Sequence, residues 1–278
     1  MESERGTSMT TQWIIDKMED WAPSKWAFES DNVGLLIGDR LRSVNRVLVA
    51  LDLTEDVLKE AVQGRFDFVI THHPMLSRHI PPINCITTDN VIGKKIMTLI
   101  SNGIGLFCAH TNLDMAPGGV NDLFFDIIGL TEKEPLTKPE NPEYPSMGLI
   151  GMLNEPMTLV SLAEYVGKVL SSKQIRYMGE STQIVRRVGL CCGNGTNQTL
   201  IDSAIAKKCD VYITGDCHYH MALQTIEAGM SLIDGSHYAT ENLVTDAIAN
   251  YIRGIAEKDG VSLIVQRSQV DGQVFKST

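Results

Sequence analysis

Phe66-Asp-Phe-Val-Ile-Thr71 runs directly into His72-His73-Pro74. An apolar, β-branched run that ends abruptly in polar residues and a proline reads as a buried strand with a turn at its C-terminal end. Working upstream, Val47–Leu51 (VLVAL) is a second apolar run. After it Thr54 stands where a helix cap would, and Val57, Leu58, Ala61 and Val62 recur at helical spacing up to Gln63. Downstream, Asn90–Ser101 carries a helical pattern closed by Gly103, and Gly105–Ala109 (GLFCA) is a third strand. A βαβαβ order predicts parallel strands joined by helical crossovers.

The same text recurs 143 positions later, where Asp67-Phe-Val-Ile-Thr71 lies on Asp210-Val-Tyr-Ile-Thr214. Leu58 then falls on Ile201, Ala61 on Ala204, Val62 on Ile205, and the cap Thr54 on Asn197. The registers drift afterwards, yet Asn102–Leu106 resembles Ala228–Leu232, and each is followed by a strand and a histidine. The repeat predicts an α/β protein of two related lobes, with mainly parallel strands and helices packed on the sheets. Residues 1–130 form the first lobe, 131–145 a connection, and 146–278 the second lobe, whose C-terminal part has the option of returning to the first. The connection is expected because it holds four Pro and four Glu in fifteen residues. Met1–Thr10 reads as a loose polar tail, with Met9 a second candidate start.

The 278 residues suffice for a full core without disulfides. With 43% hydrophobic and 21% charged residues, the composition is that of a globular chain rather than a disordered one. A formal charge of −10 repels phosphate backbones, and the sequence holds no basic run to offset it, so a nucleic-acid partner is not expected. No apolar stretch is long enough to span a membrane. The six cysteines form no CxxC pair, and several lie in strand-like runs as small hydrophobes, which suits the reducing cytoplasm.

The histidines gather at one edge. His72 and His73 follow FDFVIT, His110 follows GLFCA, His218 and His220 follow DVYIT, and His237 follows Met230–Ile233. Ligands of open parallel sheets collect at the carboxyl ends of strands. His110-Thr-Asn-Leu-Asp114 and His237-Tyr-Ala-Thr-Glu241 are both His-x3-carboxylate; on a helix, residues four apart share a face and reach one metal or two adjacent ones. One histidine at a strand end is ordinarily structural. Together, His72, His73, His110, Asp114, His237 and Glu241 point to two metals, and imidazole with carboxylate suits Zn, Fe, Mn or Ni.

Asp52 and Asp216 are candidates to orient ligand imidazoles, Asp52 equally as a turn residue before its cap. Asp216, His218 and His220 are the candidate catalytic residues, the two histidines as proton carriers. Cys192-Gly-Asn-Gly195 is either an anion cradle at a helix start or a plain tight turn. Cys217 is a weak candidate ligand, and His79 reads as a surface residue in a proline-rich loop.

Ser30-Asp-Asn-Val-Gly-Leu35, Thr71-His-His-Pro74, Ala109-His-Thr-Asn-Leu-Asp114, Gly215-Asp-Cys-His-Tyr-His220 and His237-Tyr-Ala-Thr-Glu241 occur in this order. The combination resembles the NIF-three-like dinuclear-metal proteins, widely labelled GTP cyclohydrolase I type 2 homologues. The resemblance runs from about Trp13 to Gln266 and is to the short form, because no long insert separates Leu130 from Val188. It implies two interlocked lobes with a dinuclear centre between them, held by the same six residues, with Asp114 and Glu241 bridging. It also implies a ring-like hexamer built as a trimer of dimers, and it places Asp31 or Asn32 close to the site.

Three functions follow as alternatives. The first is a metal-dependent hydrolase of a nucleotide or related heterocycle, with GTP ring opening as the family label. The sequence holds no P-loop and no N/TKxD guanine motif, so the purine rests on the resemblance alone. The second is a dinuclear phosphoesterase, with Arg78, Lys94 and Lys95 as the nearby basic candidates. The third is a non-enzymatic protein that binds metal or docks a partner, in transcription or metal handling.

Overall fold

The computed structural model describes residues 9–77, 83, 85–139 and 141–276. His79, Arg78 and the first eight residues of the expected tail lie outside the described residues. Met9 and Thr10 do not extend that tail. Met9 is buried and its carbonyl accepts from Val44 N–H, while Thr10 bridges Ser43.

The chain divides into two compact units, one holding the chain up to Leu113 with Val244–Gly272, the other Asp114–Leu243 with the residues from Gln273 on. The first unit holds α1 (Thr11–Trp21), a single 3-10 turn, β1 (Gly34–Ile37), β2 (Arg46–Ala50), α2 (Glu55–Gln63), β3 (Phe68–Thr71), α3 (Val91–Asn102) and β4 (Gly105–Cys108). The chain leaves it within the short α4 (Thr111–Met115). The second unit follows with α5 (Val120–Ile127), β5 (Thr131–Pro135), β6 (Leu149–Thr158), α6 (Leu159–Val169), β7 (Arg176–Met178) and β8 (Ile184–Leu190). It continues through α7 (Gln198–Ala206), β9 (Val211–Thr214), α8 (Tyr219–Glu227), β10 (Ser231–Asp234) and α9 (His237–Glu241). α10 (Leu243–Lys258) and β11 (Ile264–Arg267) belong to the first unit.

Among the described residues the first unit's sheet has the order β1-β4-β3-β2-β11, parallel except for β1 on β4. The second has the order β5-β6-β8-β9-β10-β7, a parallel centre β8-β9-β10 flanked by antiparallel strands. The connection expected at 131–145 therefore contributes a strand, and the unit boundary lies earlier in the chain. β5 is an edge strand of sequence Thr-Glu-Lys-Glu-Pro, largely exposed. Charges and proline on an edge discourage pairing with other chains, and the same residues make the segment read as a loop.

The repeat is carried into the structure as β2-α2-β3-α3-β4-α4 and β8-α7-β9-α8-β10-α9. Thr54 Oγ1 accepts from Val57 N–H, and the matching Asn197 accepts from Leu200 N–H. Such a cap satisfies a helix-end donor at a gain of about 1 kcal/mol. Asp67 Oδ2 accepts from Asn45 and Arg46 N–H, just as Asp210 Oδ2 accepts from Arg186 and Arg187 N–H. Each aspartate locks the entry of one strand to its parallel neighbour. In the first unit Val57, Leu58 and Ala61 of α2 pack with Leu48, Val69 and Leu106. In the second, Leu200, Ile201 and Ala204 of α7 pack with Ile150, Tyr212 and Leu232.

α10 is tied to α1 through Tyr251 Oη, which donates to Lys17 O, and through the Trp21–Tyr251 ring contact at 4.5 Å. No helix among the described residues is long and apolar enough to cross a membrane.

Candidate metal centre

In the first unit, β3 and β4 end side by side, with Ala109 N–H donating to Thr71 O. Their exits bring three imidazoles together. The ring centroids of His72, His73 and His110 lie 5.1 to 5.6 Å apart, and one nitrogen from each falls within 4.8 Å of the others. Each Nδ1 faces an oxygen that can only accept: Ala109 O at 2.8 Å from His72, Asp52 Oδ1 at 2.8 Å from His73, and Asp31 Oδ2 at 2.9 Å from His110. An acceptor-only partner places the proton on Nδ1, which makes Nε2 the nitrogen whose lone pair a metal would use.

Asp31 sits in a loop after the first helical turns and also accepts from Thr111 N–H and Thr111 Oγ1. Burial alone would raise its pKa, but the hydrogen bonds from His110 and Thr111 and the charge of His110 outweigh it. They hold the carboxyl well below the usual range. Its neighbour Asn32 donates to Leu76 O.

In the second unit, Ser236 follows β10 and caps α9 by accepting from Ala239 N–H. His237 and Glu241 then share a helix face, with Nε2 and Oε2 2.9 Å apart, and Asp216 Oδ2 lies 2.6 Å from His237 Nδ1. Two ligands with bonds of about 2.1 Å, set at right angles on one ion, are about 3 Å apart. An oxygen of Asp114 lies within 4.8 Å of one of Glu241, and both residues are buried. Two buried carboxylates at this separation are costly until a cation shares them. Imidazole and carboxylate donors with their far sides held by aspartates fit a divalent first-row ion.

The two His-x3-carboxylate segments differ locally. Gly235 N–H donates to Thr214 O as Ala109 N–H does to Thr71 O, so Ser236, not His237, is the counterpart of His110. His237 opens α9, whereas His110 precedes α4. The shared spacing is therefore offset by one residue from the register of the repeat.

Of the candidate catalytic residues, Asp216 is placed on His237 Nδ1, and His218 and His220 stand exposed at the start of α8, His220 beside the ring of Tyr219. Cys192–Gly195 is a tight turn. Its Gly193 and Gly195 N–H groups are taken by Thr240 Oγ1 and Thr214 Oγ1, which leaves them no role in holding an anion. Cys217 is partly buried, and burial pushes its thiol up to about 12, which opposes the thiolate a metal would need. Asn121 was not singled out by sequence. It is buried, donates to Asp114 O and accepts from Cys192 N–H, so it joins the backbone of a candidate ligand to the end of β8. A polar residue on the buried face of apolar α5 is the signal that marks it.

Two α/β units, each ending parallel strands in a cluster of imidazole or carboxylate donors that could hold a metal ion, define the chain as a protein of the α/β class. The family model described as Duf34/NIF3 (NGG1p interacting factor 3) matches residues 9–272, and the chain belongs to that family. It is 33% identical to a Clostridium perfringens protein called GTP cyclohydrolase 1 type 2 homolog, over 93% of this chain and 96% of that one. It is 32% identical to the Clostridium acetobutylicum protein of the same name, over 97% and 100%. The solved structure of a Bacillus cereus protein related to NIF3 superposes with a TM-score of 0.89 at 26% identity, covering 98% of this chain and 100% of that one.

Proposed function

We propose that His72, His73, His110, Asp114, His237 and Glu241 hold two divalent transition-metal ions, and that the protein is a hydrolase of a nucleotide or related heterocycle. The observation that carries the reading is the set of four histidines whose Nδ1 atoms are each engaged by an acceptor, three of them aspartates. This outward anchoring is the arrangement of metal-ligating imidazoles. The nucleotide comes from the names of the relatives.

Such ions, when bound, supply Lewis acidity and a water acidified toward neutrality. The chain's own groups do the rest. Asp31, Asp52 and Asp216 keep three imidazoles in one tautomer and one orientation. Exposed His218 and His220 carry protons to and from solvent. Opening the five-membered ring of a guanine adds one water at its amidine-like carbon and breaks one C–N bond to leave a formamide, and a second water releases that carbon as formate; each step moves a proton from the attacking water to the departing nitrogen.

The phosphoesterase alternative gains nothing from Lys94 and Lys95. Lys94 Nζ is 3.6 Å from Glu55 Oε1, and Lys95 donates to Leu53 O. We also propose self-association as a trimer of dimers and a cytoplasmic setting, the first on the family resemblance and the second on the cysteine usage. Light scattering of the purified chain tests the assembly.

Metal content by mass spectrometry, followed by a GTP hydrolysis assay on the same sample, tests the function. About two equivalents per chain with chelator-sensitive turnover supports it. Two equivalents with no turnover on GTP or related heterocycles favours the non-enzymatic reading. No metal after reloading with Zn, Mn or Fe removes the centre altogether.

A further inference from the structure

We infer that Gly193 is a positioning residue for Glu241: its bare backbone is the surface that holds the carboxylate in ligating orientation. The inference rests on the proposed metal centre and adds to it a residue with no side chain to offer as a ligand.

β8 delivers the chain to Gly193, where φ is +63°. The residue is held from both sides. Its N–H donates to Thr240 Oγ1 at 3.1 Å, and its carbonyl accepts from Gly195 N–H at 3.1 Å, Gly215 N–H at 2.8 Å and Thr214 Oγ1 at 3.3 Å. One anchor, Thr240, is the residue before Glu241, so the loop and the ligand are fastened at adjacent positions.

A Cβ placed on Gly193 would overlap Glu241 Oε1, lie 2.7 Å from Glu241 Cδ and come within 3.3 Å of His237 Nε2. Gly215 is also confined: a Cβ there would lie 2.7 Å from His237 N and 2.8 Å from Gly193 O. The wall against His237 and Glu241 is therefore backbone with no room for a side chain. Glutamate has three side-chain torsions, and a carboxylate is useful as a ligand only when they are confined. With Oε1 laid on Gly193, Oε2 is turned to within 2.9 Å of His237 Nε2. A tight turn needs only a residue that tolerates positive φ, such as asparagine. The carboxylate needs the missing Cβ.

The test separates these two demands. Gly129 also has positive φ, +70°, with nothing within 4 Å of its Cβ position. Gly129→Ala therefore reports the cost of the backbone conformation alone, and Gly193→Ala adds the clash. Zinc affinity of the full chain, measured by competition with a chromogenic chelator, is expected to fall 10- to 100-fold in Gly193→Ala and to stay at the wild-type value in Gly129→Ala. Wild-type affinity in Gly193→Ala overturns the inference, and absence of zinc binding by the wild-type chain overturns the metal centre itself.

Thermal unfolding of the metal-free variants gives a second readout. The excess loss of Tm in Gly193→Ala over Gly129→Ala should vanish when Glu241→Ala is added, because the alanine vacates the space. Additive losses overturn the contact. If Gly193→Ala does not fold, recovery of folding in the Gly193→Ala/Glu241→Ala pair supports it, and failure to recover counts against it.

Discussion

Asp31 Oδ2 lies 2.9 Å from His110 Nδ1 and 2.6 Å from Thr111 Oγ1, so one carboxylate holds both the imidazole and the residue that follows it. Asp31→Asn keeps the shape and removes the charge. It is expected to weaken metal binding by about 10- to 100-fold, read by chelator competition, with circular dichroism unchanged. Acid titration gives an independent check. The folded pKa of Asp31 is depressed below its ordinary 3.8, so its contribution to stability is present above that value and lost as pH falls through the folded one. The stability gap between wild type and Asp31→Asn in urea should be fully present near pH 5 and narrow as pH falls below about 4. A gap that widens in acid contradicts the assignment.

Glu241 is the carboxylate whose removal is most informative, because it meets His237 at 2.9 Å and lies within 4.8 Å of Asp114. On the proposed two-ion centre, Glu241→Ala is expected to lower bound metal from about two equivalents per chain to one or fewer, since a ligand shared by both ions would be lost from each. Mass spectrometry of the variant reloaded beside wild type decides it. Two retained equivalents would remove Glu241 from the ligand set.

The two halves of this molecule were legible because a repeat doubles every signal: FDFVIT and DVYIT, Thr54 and Asn197, Asp67 and Asp210 each occur at matching places. Strand-end histidines were legible for the same reason, since the carboxyl edge of a parallel sheet collects polar residues whatever the connection. Asp31 is another matter. It is 79 residues from His110, and no periodicity links a loop to a distant imidazole. Only the family motif drew attention to it. The edge strand β5 was hidden by its own protection, because glutamate, lysine and proline are the residues that suit both an exposed edge and a loop. Gly193 was hidden differently. What it contributes is an absence of volume beside Glu241, which becomes visible only when the chain is folded.

The repeat itself can be tested by stability. Thr54 and Asn197 occupy matching positions and each caps a helix that packs on its own sheet. Thr54→Ala and Asn197→Ala should each cost about 1 kcal/mol, within the range of 0.5 to 2 for lost caps. Denaturant unfolding of each variant measures the cost. A loss near zero for one and near 2 for the other would show that the two helices do not bear equivalent loads.

The thiols offer a test that needs no metal and no substrate. Cys85 is exposed, Cys217 is intermediate, and Cys108, Cys191, Cys192 and Cys209 are buried. Burial is the main cause of a raised pKa for Cys209, pushed from 9.0 to about 11, and for Cys217, pushed to about 12. Cys191 and Cys192 are driven up as well, by burial first and then by neighbouring negative charge that includes Asp114 and Glu241. Thiolate is the reactive form, so at pH 8 an alkylating reagent should label Cys85 quickly, Cys217 slowly and the others only after unfolding. A raised pKa in the folded state also means stability that is intact below 9.0 and lost as pH climbs from 9.0 toward the folded values. Urea unfolding should accordingly shift to lower midpoints between pH 9 and pH 11. Rapid labelling of Cys191 or Cys192 in the native protein would mean that the end of β8 opens, and with it the wall that Gly193 places against Glu241.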